Sequence, residues 1–309
     1  MNTPIGPANS LAQPRTFRPP AAGEQFNVNG RQYWIGKKLG QGAFSTVYEC
    51  TDEWGNELAA KVLLPRNLPY EQIQDHYFRE FQKLRDLRHP NITFIHDAFE
   101  SRDTFYLILE RCSFTLFDLI NFQGLVPDVW IPYVARDILQ GLDYIHANGY
   151  VHKDIHPGNV FVSEAQDKMA PTKQSVWSFK IADLGIAGLE AEIRPSTQWA
   201  QWMLPPEVID PKEFGAIGRT VDIYHTGLLL LALTMKGVPA FAREEIMIGK
   251  PRQLAEASSS KYGQVIAIAL LRSLRVLADT KGLGGTVSES GLGPGEIHPL
   301  RGGAFSGTP

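Results

Sequence analysis

Between residues 58 and 64 the chain reads Leu58, Ala59, Ala60, Lys61, Val62, Leu63 and Leu64, an apolar run with one ammonium at its centre. Side chains alternate faces along a strand, so Ala59, Lys61 and Leu63 share one face, and Leu58, Ala60, Val62 and Leu64 the other. An ammonium among apolar neighbours is costly unless paired, so this strand asks for an anion from elsewhere in the fold. A lysine that snorkels from a sheet edge is the plainer alternative. The next segment offers the partner. Over residues 70–87, Ile73, Tyr77, Glu80, Leu84 and Leu87 recur at helical spacing, so a glutamate interrupts an otherwise apolar stripe. On pattern alone, Glu80 fits a solvated helix edge as well as an ion pair.

The surrounding segments extend this frame. Residues 32–39 and 46–51 read as strands joined by a turn through Gly40 and Gly42, and Trp54, Gly55 and Asn56 turn the chain into the strand of Lys61. Residues 104–110 form a further β-branched and aromatic run. A helix over about 129–147 carries Ile131, Val134, Ile138, Leu142 and Ile145 on one stripe and stops at Asn148 and Gly149, a common C-terminal signal. It leads into residues 150–162, where two short apolar runs enclose a polar loop with Asp154 and Asn159. Asp154 is placed to accept a proton from an attacking hydroxyl, and the Asn159 amide oxygen is a hard ligand suited to magnesium. Ordinary polar turn chemistry explains the same loop equally well. Asp183 ends a strand-like run, 179–182, with Gly185 two residues on, the position of a metal ligand at a strand end.

Taken in order, these features form a set: a Gly-rich hairpin, a buried lysine, a helix glutamate, His152 with Asp154 and Asn159, Asp183 with Gly185, and Pro206 with Glu207. In that order the chain resembles the eukaryotic-type protein kinase family from about residue 33 to the late 270s. The resemblance implies an α+β, bilobal fold: an antiparallel β-sheet N-lobe with one long helix, and a mainly α-helical C-lobe. It implies ATP and magnesium as cofactors and a protein serine or threonine hydroxyl as acceptor. Lys61, paired with Glu80, would hold the α- and β-phosphates. Leu39, Gly40, Gly42, Ser45 and Val47 would cover the nucleotide, and the backbones of Glu110 and Cys112 would bond the adenine beside a gatekeeper at Leu109. Asp154 would be the base, and Asn159 and Asp183 the magnesium ligands. Asp222 would open the family's central buried helix, and Arg272 or Arg275 would pair with Glu207.

The resemblance also sets boundaries. Residues 1–28 are expected to be a disordered Pro-rich tail, 29–278 the kinase domain with lobes at about 29–110 and 113–278, and 279–309 a disordered Gly-rich tail. Residues 163–178 read as a polar hairpin insertion of unassigned role. Four positions depart from the usual pattern. Ser45 replaces a loop glycine and Leu184 a phenylalanine, both tolerated in active relatives. Lys153 stands where arginine usually grips an activation-segment phosphate, so phosphorylation at Ser196 or Thr197 is expected to matter only modestly. His156 stands where a lysine usually meets the transferring phosphate, and imidazole carries its charge only part of the time near neutral pH. The run of His156, Pro157, Gly158 and Asn159 also resembles the loop of aminoglycoside- and choline-kinase-type phosphotransferases. A small-molecule kinase and a non-catalytic pseudokinase scaffold are therefore the rival readings.

Composition narrows the partners. The 309 residues are 43% hydrophobic and 20% charged, ordinary for a globular protein with two modest cores. A formal net charge of -3 without a long basic run gives no electrostatic footprint for nucleic acid or an anionic membrane. Cys50 and Cys112 form neither a metal-ligand spacing nor a disulfide framework. No signal peptide or membrane-length apolar run is apparent, so a cytoplasmic location is expected.

Overall fold

The computed structural model describes residues 17–42, 44–65, 67–167, 174–194, 197, 199 and 202–271. They divide into two compact units, one drawn from residues 17–82 and 95–111, the other from 83–94 and 112–271.

In the first unit, β1 (Gln25–Val28), β2 (Arg31–Gln41), β3 (Ser45–Asp52), β4 (Glu57–Leu63), β5 (Ile95–Ser101) and β6 (Thr104–Glu110) form a six-stranded sheet in the order β1-β2-β3-β4-β6-β5, every neighbouring pair antiparallel. Alternating side chains from one face build a core of Phe26, Tyr33, Ile35, Cys50, Leu58, Ala60, Val62, Phe99, Tyr106 and Ile108. Phe99 stacks on Tyr106 with ring centroids 5.0 Å apart, and Phe26 tilts against Tyr106 at 5.1 Å. Burial here pushes the Cys50 thiol up to about 12, so it behaves as a small apolar side chain. On the other face lies helix α1 (Tyr70–Asp86), whose Tyr77 packs against Phe105 at 4.8 Å. Ile73, Tyr77, Glu80, Leu84 and the following Leu87 are all buried, as the helical stripe requires.

Two expectations are corrected in this unit. Residues 17–28 do not belong to a disordered tail: Gln25–Val28 pairs with β2, Phe26 is 5% exposed, and the Arg18 amide donates to Thr104 Oγ1 at 3.0 Å. The apolar area that Phe26 buries against Phe99 and Tyr106 offsets the ordering of a segment too polar to order itself. Gly40 lies in β2 rather than in the turn, which is shorter than glycine spacing suggested. Gly40 pairs with Val47, after irregularities in register between Ile35 and Lys38 and between Lys38 and Gly40.

In the second unit, β7 (Phe114–Thr115) leads into α2 (Leu116–Ile120), which starts with a reciprocal capping box between Thr115 and Asp118. Helix α3 (Pro127–Ala147) begins with Pro127 at its first position and gives way to Asn148 and Gly149, whose φ of 79° is the left-handed conformation glycine adopts freely. After β8 (Tyr150–Val151) the chain forms β9 (Val160–Asp167) and β10 (Gln174–Ile181), an antiparallel hairpin joined to β7 in a three-stranded sheet ordered β10-β9-β7. The tip of the expected insertion, 168–173, lies outside the described residues, as do residues 272–309 with their Gly-rich tail, Arg272 and Arg275. Strand β11 (Gly188–Leu189) pairs with β8, and short helices α4 (Pro206–Ile209) and α5 (Pro211–Phe214) precede α6 (Thr220–Met235). The unit ends in α7 (Arg243–Met247), α8 (Lys250–Ala257) and α9 (Gly263–Ala269).

Helix α6 is apolar around most of its circumference and correspondingly buried, from Val221 to Leu233 with few exceptions, so neighbours cover it on all sides. At Gly227 an added Cβ would come 2.9 Å from Leu270, so a glycine is what lets α6 approach the end of α9 this closely. The α3 stripe of Ile131, Val134, Ile138, Leu142 and Ile145 is buried to 3% exposure or less. Among the described residues no helix is long and apolar enough to cross a membrane.

Candidate active site

In the first unit, the pairing that the sequence asked for is made: Lys61 Nζ donates to Glu80 Oε1 at 2.6 Å, with the two side chains 10% and 7% exposed. A buried pair of this kind is close to neutral for stability but expensive to break, because either survivor is left as an uncompensated charge. Val47 lies opposite Lys61 on β3, and Ser45, the buried first residue of that strand, lies opposite Leu63. The Gly42 amide donates to the Ser45 carbonyl at 2.9 Å, closing the turn, while Leu39 is 43% exposed beside it in β2. Leu109 and Glu110 end β6 opposite Ala59 and Leu58. Cys112 belongs to the second unit, where the next residue, Ser113, donates its amide to the Val162 carbonyl at 2.8 Å.

The second unit gathers Asp154, His156, Asn159 and Asp183. The anchor of this loop is Asp222 in the first turn of α6, which is wholly buried. Its Oδ2 accepts from His146 Nε2 and from the His152 amide, and its Oδ1 from the Lys153 amide, all at 2.8 Å. These bonds hold its carboxyl below the usual range against the opposing effect of burial. They also hold the loop in an unusual backbone: Lys153 has φ 70°, a left-handed conformation that costs a non-glycine residue on the order of 1 kcal/mol. Burial lowers the Lys153 pKa, and its ammonium lies beside Gly188, where an added Cβ would meet Nζ at 3.2 Å.

His152 ties this loop to the strand end that bears Asp183. Its Nδ1 accepts the Asp154 amide at 3.2 Å, so its proton sits on Nε2, which donates to the Ala182 carbonyl at 3.1 Å. The Ala182 amide in turn donates to the Asn159 carbonyl at 2.9 Å. Asp183 follows with φ 61°, its Oδ1 accepting the Gly185 amide at 3.2 Å, and Lys83 Nζ donates to the carbonyls of Leu184 and Gly185 at 3.0 and 3.1 Å. Asn159 Nδ2 donates both to the Asp154 carbonyl and to Asp154 Oδ2, each at 3.0 Å. Both bonds use the amide nitrogen, so the amide oxygen of Asn159 is the atom that could bind a cation.

Asp154 is pushed up to about 7, first by burial and then by the nearby charge of Asp183, with the Asn159 hydrogen bond opposing. A carboxylate in this range accepts and returns a proton near neutral pH, as a general base must. A carboxylate raised by a second one nearby, in a loop that also carries the Asn159 amide oxygen, offers the hard oxygen atoms that a divalent cation takes. Among the described residues, no group of three or more His, Cys, Asp or Glu side chains is arranged to hold a metal by itself.

His156 caps the short 3₁₀ turn Pro157–Asn159. Further along, Thr197 Oγ1 accepts the Arg194 amide at 2.8 Å, while Ser196 lies outside the described residues. Glu207 in α4 is buried and raised by that burial, and Thr220 Oγ1 donates to it at 3.3 Å. Sequence reasoning placed Asp222 at the head of a buried helix and missed that it fastens the loop that carries Asp154. His146, His152 and Lys153 lie 69–76 residues before it, so no local pattern reveals the contact.

The protein kinase domain model matches residues 33–265. The chain is 29% identical over 249 residues to "Calcium-dependent protein kinase 21" of Arabidopsis thaliana, covering 79% of this chain and 44% of that protein. It is 30% identical over 234 residues to "Calcium/calmodulin-dependent protein kinase type II alpha chain" of Drosophila melanogaster (73% and 41%), and 31% identical over 217 residues to "Calcium-dependent protein kinase 12" of Oryza sativa subsp. japonica (69% and 38%). The chain thus spans less than half the length of each of these relatives. With the matched model covering well over half of its residues, and the buried Lys61–Glu80 pair and the Asp154 loop falling inside the match, the chain belongs to the protein kinase family.

Proposed function

We propose that the chain is an ATP- and Mg²⁺-dependent protein kinase that transfers the γ-phosphate to serine or threonine hydroxyls. The observation that carries the reading is the buried Lys61–Glu80 pair. A lysine fixed at 2.6 Å from its glutamate, on a strand beside a Gly-containing turn, is poised to present charge to nucleotide phosphates. Leu39, Gly40, Gly42, Ser45 and Val47 would border the nucleotide, with the backbones of Glu110 and Cys112 at the adenine.

Asn159 and Asp183 would hold Mg²⁺, which when bound neutralises charge on the phosphates. Asp154 would orient the acceptor hydroxyl and take its proton. A protein acceptor is supported by features outside the loop, namely His89 to Ile92, Pro205 to Glu207 and the Asp222 helix, and the serine/threonine preference by similarity to relatives named as serine/threonine-protein kinases. The domain assignment of 29–278 becomes about 17 to the late 270s once β1 is included.

The test is incorporation of label from γ-labelled ATP into generic protein substrates by wild type, Lys61→Met and Asp183→Asn. Both substitutions are expected to reduce phosphotransfer by three orders of magnitude or so, as several kcal/mol of transition-state stabilisation are lost, with circular dichroism unchanged. Near wild-type turnover in either variant would overturn the site. Labelling of aminoglycosides or amino alcohols with no protein labelled would favour the small-molecule reading, and nucleotide binding without any transfer the scaffold.

A further inference from the structure

We infer that His156 is a neutral hydrogen-bond donor that positions Asp154, rather than a cation that meets the transferring phosphate. The inference rests on the reading of Asp154 as the base.

The argument starts with the ring's other nitrogen. His156 Nδ1 accepts the Gly158 amide at 3.1 Å, so its lone pair is committed and the ring proton must sit on Nε2. Protonating Nδ1 would set N–H against N–H and break the turn that carries Asn159. The ring is seated against backbone at this point: an added Cβ at Gly158 would lie 3.0 Å from His156 Cε1 and 3.2 Å from Nδ1. The same arrangement recurs at His152, whose Nδ1 accepts the amide two residues on, and at His89 with the Asn91 amide at 3.2 Å. The chain thus uses histidine repeatedly as a turn-closing acceptor.

The Nε2 side faces the base. Nε2 lies 3.6 Å from Asp154 Oδ1, past hydrogen-bond length, while Oδ2 is already held by Asn159 at 3.0 Å. A shortening of well under 1 Å when an acceptor arrives would complete the bond, as catalytic contacts commonly tighten in the loaded enzyme. Both carboxylate oxygens would then have a fixed partner, which sets the plane in which Oδ1 meets the hydroxyl. The ring is braced from outside by Trp202, at 6.1 Å between centroids and tilted 57°, and Trp202 is backed by the buried His225 at 5.7 Å.

The experiment uses the full chain labelled with ¹⁵N at histidine, with His156→Asn to assign the signals. Long-range ¹H–¹⁵N correlation near neutral pH is expected to show the His156 ring with Nδ1 bare and Nε2 protonated. A ring protonated on both nitrogens, or on Nδ1 alone, would overturn the inference. Kinetics give a second arm. In His156→Asn the amide oxygen can accept the Gly158 N–H and the amide nitrogen can donate to Asp154; lysine can do only the second. His156→Asn is therefore expected to turn over about tenfold or more faster than His156→Lys, with KM for ATP alike in both. Rescue by lysine and not by asparagine would support the cation instead. If wild type transfers phosphate to nothing, the kinase reading fails while the tautomer measurement still decides the state of His156.

Discussion

Asp222 and Asp154 are carboxylates of one unit, joined through the few residues of the loop between them, and the fold treats them in opposite ways. Asp222 is the more deeply buried, yet three N–H donors at 2.8 Å keep it ionised. Asp154 is less deeply buried, yet burial and then the charge of Asp183, opposed by a single donor on Oδ2, push it up to about 7. Depth alone therefore does not decide the protonation state; the supply of donors sets whether the effect of burial is overcome. The fold places its hydrogen-bond donors on the carboxylate that holds the loop and leaves few for the one proposed as the base.

The largest expected effect of breaking this contrast is at the anchor. Asp222→Ala leaves the His152 and Lys153 amides and His146 Nε2 without their acceptor, and releases the left-handed Lys153. A loss of about 3–5 kcal/mol of stability is expected in urea denaturation, together with loss of phosphotransfer. A loss under about 1 kcal/mol would show that the anchor is dispensable.

At Asp154 the sign reverses. The folded pKa of about 7 lies above the ordinary 3.8, so the folded chain binds the proton that the unfolded chain releases. The stability tied to this group is present below pH 4 and is lost as pH rises through about 7. For Asp222 the folded value is depressed, so its contribution is present above the ordinary value and is lost as pH falls through the folded one. Asp154→Asn should therefore raise stability at pH 8 by on the order of 1–3 kcal/mol, several degrees in Tm, with the gain shrinking toward pH 4. It should also lower turnover about 10²- to 10⁴-fold. Thermal melts across pH check this, and equal Tm values at pH 4 and 8 for both proteins would remove the strain assigned to Asp154.

The contrast also marks what the sequence could reveal. Lys61 and Glu80 were legible because each violates the periodic pattern of its own element, a local signal that a pairing resolves. The strand of Lys61, the α1 stripe and the α3 stripe follow from the same periodicities. Strand β1 was hidden because Phe26 gains its burial from Phe99 and Tyr106, far along the chain, while its neighbours in sequence have the composition of a tail. Gly40 was read as a turn because glycine permits one, yet its strand pairing needs no special backbone. The role of Asp222 depends on donors supplied from helix α3 and the loop after it, and the state of His156 on a turn hydrogen bond; neither leaves a pattern in residue types.

The most direct measurement follows the carboxyl carbons of ¹³C-labelled aspartate by NMR in Mg²⁺-free buffer, with Asp154→Asn identifying the Asp154 signal. The account predicts that Asp154 titrates with a midpoint near 7 while Asp222 stays ionised from pH 5 to 8. A midpoint near 4 for Asp154 would contradict it, because the loop would then hold an ordinary surface carboxylate where the account requires a base.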